Sequence, residues 1–150
     1  MCKVFDIYYK QWLRTRKRTI SYLECATDEM VELDLKDQYS FKEQILHILN
    51  WEIEMFQRVK GINDPLTIPS LENPINRMQL VDIIHSVTNR TRDRLLFLQD
   101  DFLDIEIPID GAPTPFFEVL LDLLDHEAHH RGQIIYIFKL FNRALPNYEI

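Results

Sequence analysis

Residues 40–75 read SFKEQILHILNWEIEMFQRVKGINDPLTIPSLENPI. The stretch opens on a capping box: the Ser40 hydroxyl can accept from the Glu43 amide while the Glu43 carboxylate reaches back to the Ser40 amide. Phe41, Ile45, Leu49, Phe56 and Val59 then recur at helical spacing, and Gly61 offers a C-terminal cap. This predicts a helix over about 40–60, roughly 30 Å long. Residues 61–75 hold three prolines, and fifteen extended residues reach about 50 Å. A loop of that reach can cross a whole bundle and leave the helices on either side of it parallel, as in four-helix bundles with crossovers.

Three more helical segments surround this one. The first covers about 5–26, with Phe5, Tyr8, Trp12, Ile20 and Leu23 at helical spacing. The third opens at Asn73-Pro74, an N-cap followed by proline in the first turn, and continues to about Asp101 with Leu80, Ile84, Val87, Leu95 and Leu98 inside. The fourth opens at Thr114-Pro115 by the same device and runs to about Asn142. It is apolar over most of its circumference, with Phe116, Leu120, Leu123, Ile134, Phe138 and Phe141 on one side and Leu121, Leu124 and Ile135 on another. Such a helix is central or faces a partner subunit. The expected fold class is all-α: one four-helix bundle, with residues 1–150 as a single domain and a long crossover between helices two and three.

Composition sets limits on function. The chain is 46% hydrophobic and 27% charged, ordinary for a globular protein, and its 3 glycines lean towards helix. A net charge of −7 argues against a nucleic-acid binder. The one basic run, Arg14 to Arg18, splays around a helix with only Arg14 and Arg18 stacked, and reads as a solvated face. No apolar run approaches the about 20 residues that span a bilayer. The N-terminal MCKVFDIYYK carries charge where a signal peptide needs an apolar core. Cys2 and Cys25 have no ligand-like spacing. The expectation is a cytoplasmic protein with free thiols.

The chemistry is concentrated in residues 122–134, DLLDHEAHHRGQI. His126 and His130 stack one turn apart on a helix, the spacing that offers two imidazoles to one metal ion. His129 lies 100° away and points elsewhere. The string His126-Glu127-Ala128-His129-His130 is formally the zinc-protease signature, but no histidine follows His130 and Glu149 is the only later glutamate. A di-iron carboxylate bundle fails as well, because Glu127 and His130 make one Glu-x-x-His pair and no other histidine has a glutamate three residues before it. A mononuclear site needs a third ligand from another helix. His47 and His85 are the candidates, and both lie off the stripes of their helices, so periodicity leaves the choice open. Arg131 falls near the centre of the apolar stripe, where it needs a carboxylate partner; Glu127, one turn earlier, is the candidate. Gly132 inside a helix costs roughly 1 kcal/mol against alanine, which suggests close approach of a neighbouring helix.

Three segments carry a family resemblance across essentially the whole chain: WLRTRKRTISYL in the first helix, SFKEQILHILNWE in the second and HEAHHRGQI in the fourth. The chain resembles the DinB/YfiT-like superfamily of DNA-damage-inducible metalloproteins. The resemblance implies an up-down-down-up bundle, a metal held by His47, His126 and His130, and frequent homodimers. Arg131, Gly132 and Gln133 match the family's fourth-helix motif; Glu127, beside His126, is expected to pair with Arg131 or to orient a histidine. The tail FNRALPNYEI departs from the glycine and prolines that often follow the last helix in the family.

Three neutral histidines leave open positions on a divalent ion, the arrangement of a catalytic rather than a structural zinc site. Zinc is expected first, with nickel or iron next. The resemblance implies thiol-dependent transfer or isomerisation with a low-molecular-weight thiol such as bacillithiol or mycothiol; an open metal site also allows hydrolysis, in either case on a small-molecule substrate. The alternative is a non-catalytic metal-binding stress-response protein. Neither nucleic acid nor membrane is expected as a partner.

Overall fold

The computed structural model describes residues 2–62, 68 and 74–147. Its elements run α1 (Lys3–Cys25), α2 (Asp28–Glu32), α3 (Phe41–Gln57), α4 (Arg77–Leu98), β1 (Glu106–Ile109), β2 (Ala112–Pro115) and α5 (Phe116–Leu140). The capping box at Ser40 forms: the Glu43 amide donates to Ser40 Oγ at 3.2 Å, and the Ser40 amide donates to Glu43 Oε2 at 2.7 Å. At the other end α3 gives way to a turn after Gln57, within which Gly61 adopts a φ of 90°.

Three expectations change. The N-cap expected at Asn73 lies outside the described residues. Helix α4 begins at Arg77 instead, with Asn76 accepting from the Gln79 amide at 2.8 Å in a second capping box. The start expected at Thr114-Pro115 moves too: Thr114 sits in β2 and α5 starts at Phe116 with no side-chain cap. Finally, the all-α class is approximate. A short helix α2 is capped by Thr27, and a hairpin pairs β1 with β2, Ile107 opposite Thr114 and Ile109 opposite Ala112. Asp110 (φ 49°) and Gly111 (φ 80°) both take positive φ, the twist that tight hairpin turns favour. Prolines 108, 113 and 115 hide this hairpin in the sequence, because proline removes ladder donors and argues against a strand. Its hold on the helices comes from Ile107, buried in the core, and from the Phe116 amide donating to the Ile105 carbonyl at 2.8 Å.

The long helices pack in neighbouring pairs, α3 on α4 and α5, and α1 on α4 and α5. Their buried side chains form two apolar clusters. One gathers Leu23, Ile45, Leu49, Ile84, Ile134 and Phe138; the other gathers Phe5, Trp12, Phe56, Leu95, Phe102 and Phe116. Each long helix crosses from one cluster to the other through a buried polar residue: Arg16 on α1, Glu52 on α3, Thr91 on α4 and Glu127 on α5. Among the described residues no helix is long and apolar enough to cross a membrane.

Candidate metal centre

Helices α3 and α5 pack against each other and bring His47 against His126 and His130. His126 Nε2 lies 3.1 Å from His47 Nε2 and 3.2 Å from His130 Nε2. The ligand-capable nitrogens of all three lie within 4.8 Å of one another. A tetrahedral ion with bonds of about 2.05 Å holds its nitrogens about 3.3 Å apart, and a facial octahedral one holds them about 2.9 Å apart. The separations of His126 Nε2 from the other two nitrogens fall between those limits, so the donor set fits a divalent ion. His85 is elsewhere: exposed on α4, with Nε2 3.5 Å from Glu24 Oε1. His129 is exposed and bonded to Gln133 at 3.0 Å.

A residue the sequence reading passed over orients the cluster. Gln44, one turn before His47 and buried, donates its amide nitrogen to the Tyr39 carbonyl at 3.3 Å and to Gln133 Oε1. Its oxygen is thereby left to accept from His130 Nδ1. That bond assigns the proton to Nδ1 and the lone pair of His130 to Nε2, the nitrogen facing His126. Burial lowers the pKa of His130 to about 4, helped by repulsion from His126, His47 and His129. Burial also lowers His126, with His47 and His129 adding to the shift. Both rings are therefore neutral at pH 7, the form a metal requires. The Tyr39 ring stacks 6.4 Å from that of His130, and the Trp51 ring lies 5.9 Å from that of His126. Beside them opens a cavity of about 480 Å³ lined by His47, Trp51, Asp122, Asp125, His126 and His129.

The model of the DinB superfamily matches residues 11–134, which spans α1 through most of α5. The chain belongs to the DinB superfamily. Its fold is similar to that of a DinB-like protein from Bacillus cereus ATCC 10987, with a TM-score of 0.77, 20% identity and 95% of each chain covered. A DinB-like protein from Bacillus subtilis is similar at a TM-score of 0.70 and 22% identity, covering 95% of this chain and 96% of the other. No curated protein matches at a significant level.

Directly behind the histidines, this DinB-superfamily chain buries a charged network whose arginine belongs to the basic run expected on a solvated face. Arg16, in the basic run, is fully buried. Its guanidinium donates to both oxygens of Glu127 at 3.0 Å, to Glu52 Oε2 at 2.7 Å and to Thr88 Oγ1 at 3.1 Å. Thr19 donates to Glu127 Oε1 and Thr91 to Glu52 Oε1, each at 2.7 Å, and Trp12 Nε1 donates to Glu52 Oε2 at 3.1 Å. Burial alone would lower the Arg16 pKa, but the Glu127 and Glu52 carboxylates outweigh it and raise the value. The expected Glu127–Arg131 pair is replaced: Glu127 is committed to α1, and Arg131 also reaches α1, donating to the Thr15 carbonyl at 3.2 Å. The close approach expected at Gly132 is absent as well, since a Cβ there would meet nothing within 4 Å.

Proposed function

We propose that the chain is one domain, residues 1–150, which holds a divalent ion through His47, His126 and His130 and uses it in the cytoplasm for thiol transfer to, or hydrolysis of, a small electrophile. Zinc is the first choice, with nickel or iron next, because imidazole suits all three. The observation that carries the reading is the convergence of three histidine nitrogens within 4.8 Å of one another, at the wall of a cavity large enough for a small molecule. We read the four long helices as an up-down-down-up bundle. In support, α1 and α5 run from the Phe5 cluster to the Leu23 cluster, whereas α3 and α4 run the other way. A homodimer completes the reading, supported by Leu121, Tyr136 and Leu140 standing exposed on α5.

A divalent ion supplies Lewis acidity, enough to bring a bound water near pKa 7 or to bind a thiol as thiolate. The chain's own residues do the rest. Gln44 fixes the His130 tautomer, and Gln133 steadies Gln44. Tyr39 and Trp51 flank the imidazoles. Glu127 is no general base, since both its oxygens accept from Arg16. Cys25 is exposed at the end of α1 and Cys2 precedes that helix; neither lines the cavity, so the nucleophile comes from outside the chain.

Elemental analysis and zinc titration test the ligands. Wild type is expected to bind one ion per chain and His126→Ala to lose it; stoichiometric metal at normal affinity in that variant overturns the assignment. Conjugation of a small thiol to a haloaromatic tests the chemistry, with the rate abolished in His130→Ala and unchanged in Cys25→Ser. Metal binding without any rate across several thiols transfers the reading to a non-catalytic stress-response metal protein.

A further inference from the structure

We propose that His129 and Gln133 are positioning residues of the metal centre: acting from the cavity wall through Gln44, they hold His130 in the tautomer that turns Nε2 to the ion. This rests on the reading of His47, His126 and His130 as ligands and extends it to two residues that are not ligands. The bonds form one chain anchored on a backbone group. The Tyr39 carbonyl can only accept, so the Gln44 atom 3.3 Å from it is the amide nitrogen. The second hydrogen of that nitrogen goes to Gln133 Oε1. Gln133, one turn after His129 on α5, therefore turns its own nitrogen to His129 Nε2, 3.0 Å away. The Oε1 of Gln44 is left to accept from His130 Nδ1. Reversing Gln44 would set its oxygen against the Tyr39 carbonyl, and reversing Gln133 would set nitrogen against nitrogen, so the carbonyl assigns both amides.

The chain runs in one sense throughout. His130 donates to Gln44, Gln44 to Gln133 and Gln133 to His129. Hydrogen bonds in series polarise one another. Donation at the His129 end makes Gln133 Oε1 a better acceptor, which does the same for Gln44 Oε1 in turn. A stronger acceptor at Nδ1 raises the basicity of Nε2, the nitrogen left for the ion. His130 is also the ligand on which such support falls: among the described residues, no hydrogen bond holds Nδ1 of His47 or His126. The chain leads from outside to inside. His129 is exposed and lines the cavity, whereas His130 is buried and outside that lining. A histidine that is not a ligand thus acts on one that is, through two amides whose orientations leave a single pattern.

Zinc affinity of the full-length protein is measured at pH 7 by competition with a chelator. Gln44→Leu is expected to weaken binding about 100-fold and Gln133→Leu about tenfold, the span over which such outer partners act. His129→Ala should weaken it about threefold, because the bond between the two glutamines survives. Both smaller losses should vanish when each variant is made on Gln44→Leu, since His129 and Gln133 act only through Gln44. Losses that add on that background, or zinc affinity unchanged in Gln133→Leu, overturn the proposal. The metal-free proteins give a readout without zinc. Long-range proton–nitrogen NMR correlations should place the His130 proton on Nδ1 in wild type and share it between the two nitrogens in Gln44→Leu, with Gln133→Leu between them. A proton on Nε2 in wild type, or an unchanged tautomer in Gln44→Leu, overturns the proposal as well. Wild type that shows the Nδ1 tautomer yet binds no zinc overturns the metal reading and leaves the orientation of His130 by these residues standing.

Discussion

Helices α3 and α5 each contribute to two polar clusters that lie back to back, and the two are built on opposite terms. In the inner cluster every group meets its complement: guanidinium on carboxylate, hydroxyl on carboxylate, indole N–H on carboxylate. In the outer cluster imidazole meets imidazole, with His130 Nε2 turned on His126 Nε2 and His126 Nε2 on His47 Nε2. Burying a charge is costly, and a buried pair is tolerated only when its remaining hydrogen bonds are met within the chain. The inner cluster meets them and ties α1, α3, α4 and α5 together. The outer one leaves three imidazoles facing one another, and a cation from outside would be shared by all three. A closed charge network thus serves as the rigid back wall of an open site.

The contrast breaks most severely at Arg16. Arg16→Met removes the one cation that, among the described residues, both Glu52 and Glu127 contact, and leaves two carboxylates buried. The expected cost is about 3–5 kcal/mol in urea unfolding. Adding Glu52→Gln and Glu127→Gln should recover part of it, because the uncompensated charge goes with them. A loss below about 1 kcal/mol in the single variant would mean that water reaches these groups and the network is not closed.

The outer cluster should behave differently, since it contributes little to the fold. Chelation is expected to leave the far-UV circular dichroism unchanged and to lower the midpoint of unfolding only by the mass-action term of the lost ion. A collapse of helicity on chelation would show that the two clusters share the structural burden.

A smaller effect follows from pH in the metal-free protein. The folded pKa of His130 is lowered to about 4 from the ordinary 6.5, chiefly by burial. As pH falls through 6.5 the unfolded chain takes up a proton that the folded chain refuses until about 4. Stability is therefore full above 6.5 and is lost progressively between 6.5 and 4, with His126 adding in the same direction. His130→Gln should flatten this slope. An unchanged slope in that variant would assign the acid loss to other groups.

How much of this the sequence discloses depends on range. The i, i+4 pair His126 and His130, the Ser40 capping box and the four long helices are local patterns, set within one or two turns, and they are legible. The third histidine is not, because the angle of His47 on its own helix places it at the border of a stripe and only the packing of α3 on α5 brings it round. The inner network spans separations of 36 and 111 residues between Arg16 and its partners. Its signal was present all the same. Phe5, Tyr8 and Trp12 set a stripe that continues through Arg16 and Thr19 to Leu23, and polar residues on a buried stripe demand partners. The basic neighbours Arg14, Lys17 and Arg18 masked it by making Arg16 look like one more surface charge. The hairpin was masked in turn by its prolines, which outweighed the Asp110-Gly111 turn.

Gly132 gives the finest test, because it follows residues of both clusters on α5 yet belongs to neither. It follows Arg131 on α5, is exposed, and has open space where a Cβ would stand. Its φ is not in the positive range that favours glycine. Nothing within the chain therefore asks for glycine, and Gly132→Ala should stabilise the protein by about 1 kcal/mol through helix propensity alone, with zinc affinity unchanged. Thermal unfolding of the monomer concentration series decides the matter. A stabilised variant of unchanged oligomeric state means that this side of α5 faces solvent. A destabilised variant that also loses a dimer by light scattering means that a second copy of the chain approaches α5 at this point, too closely for a methyl group, and that the glycine is kept for the assembly rather than for the fold.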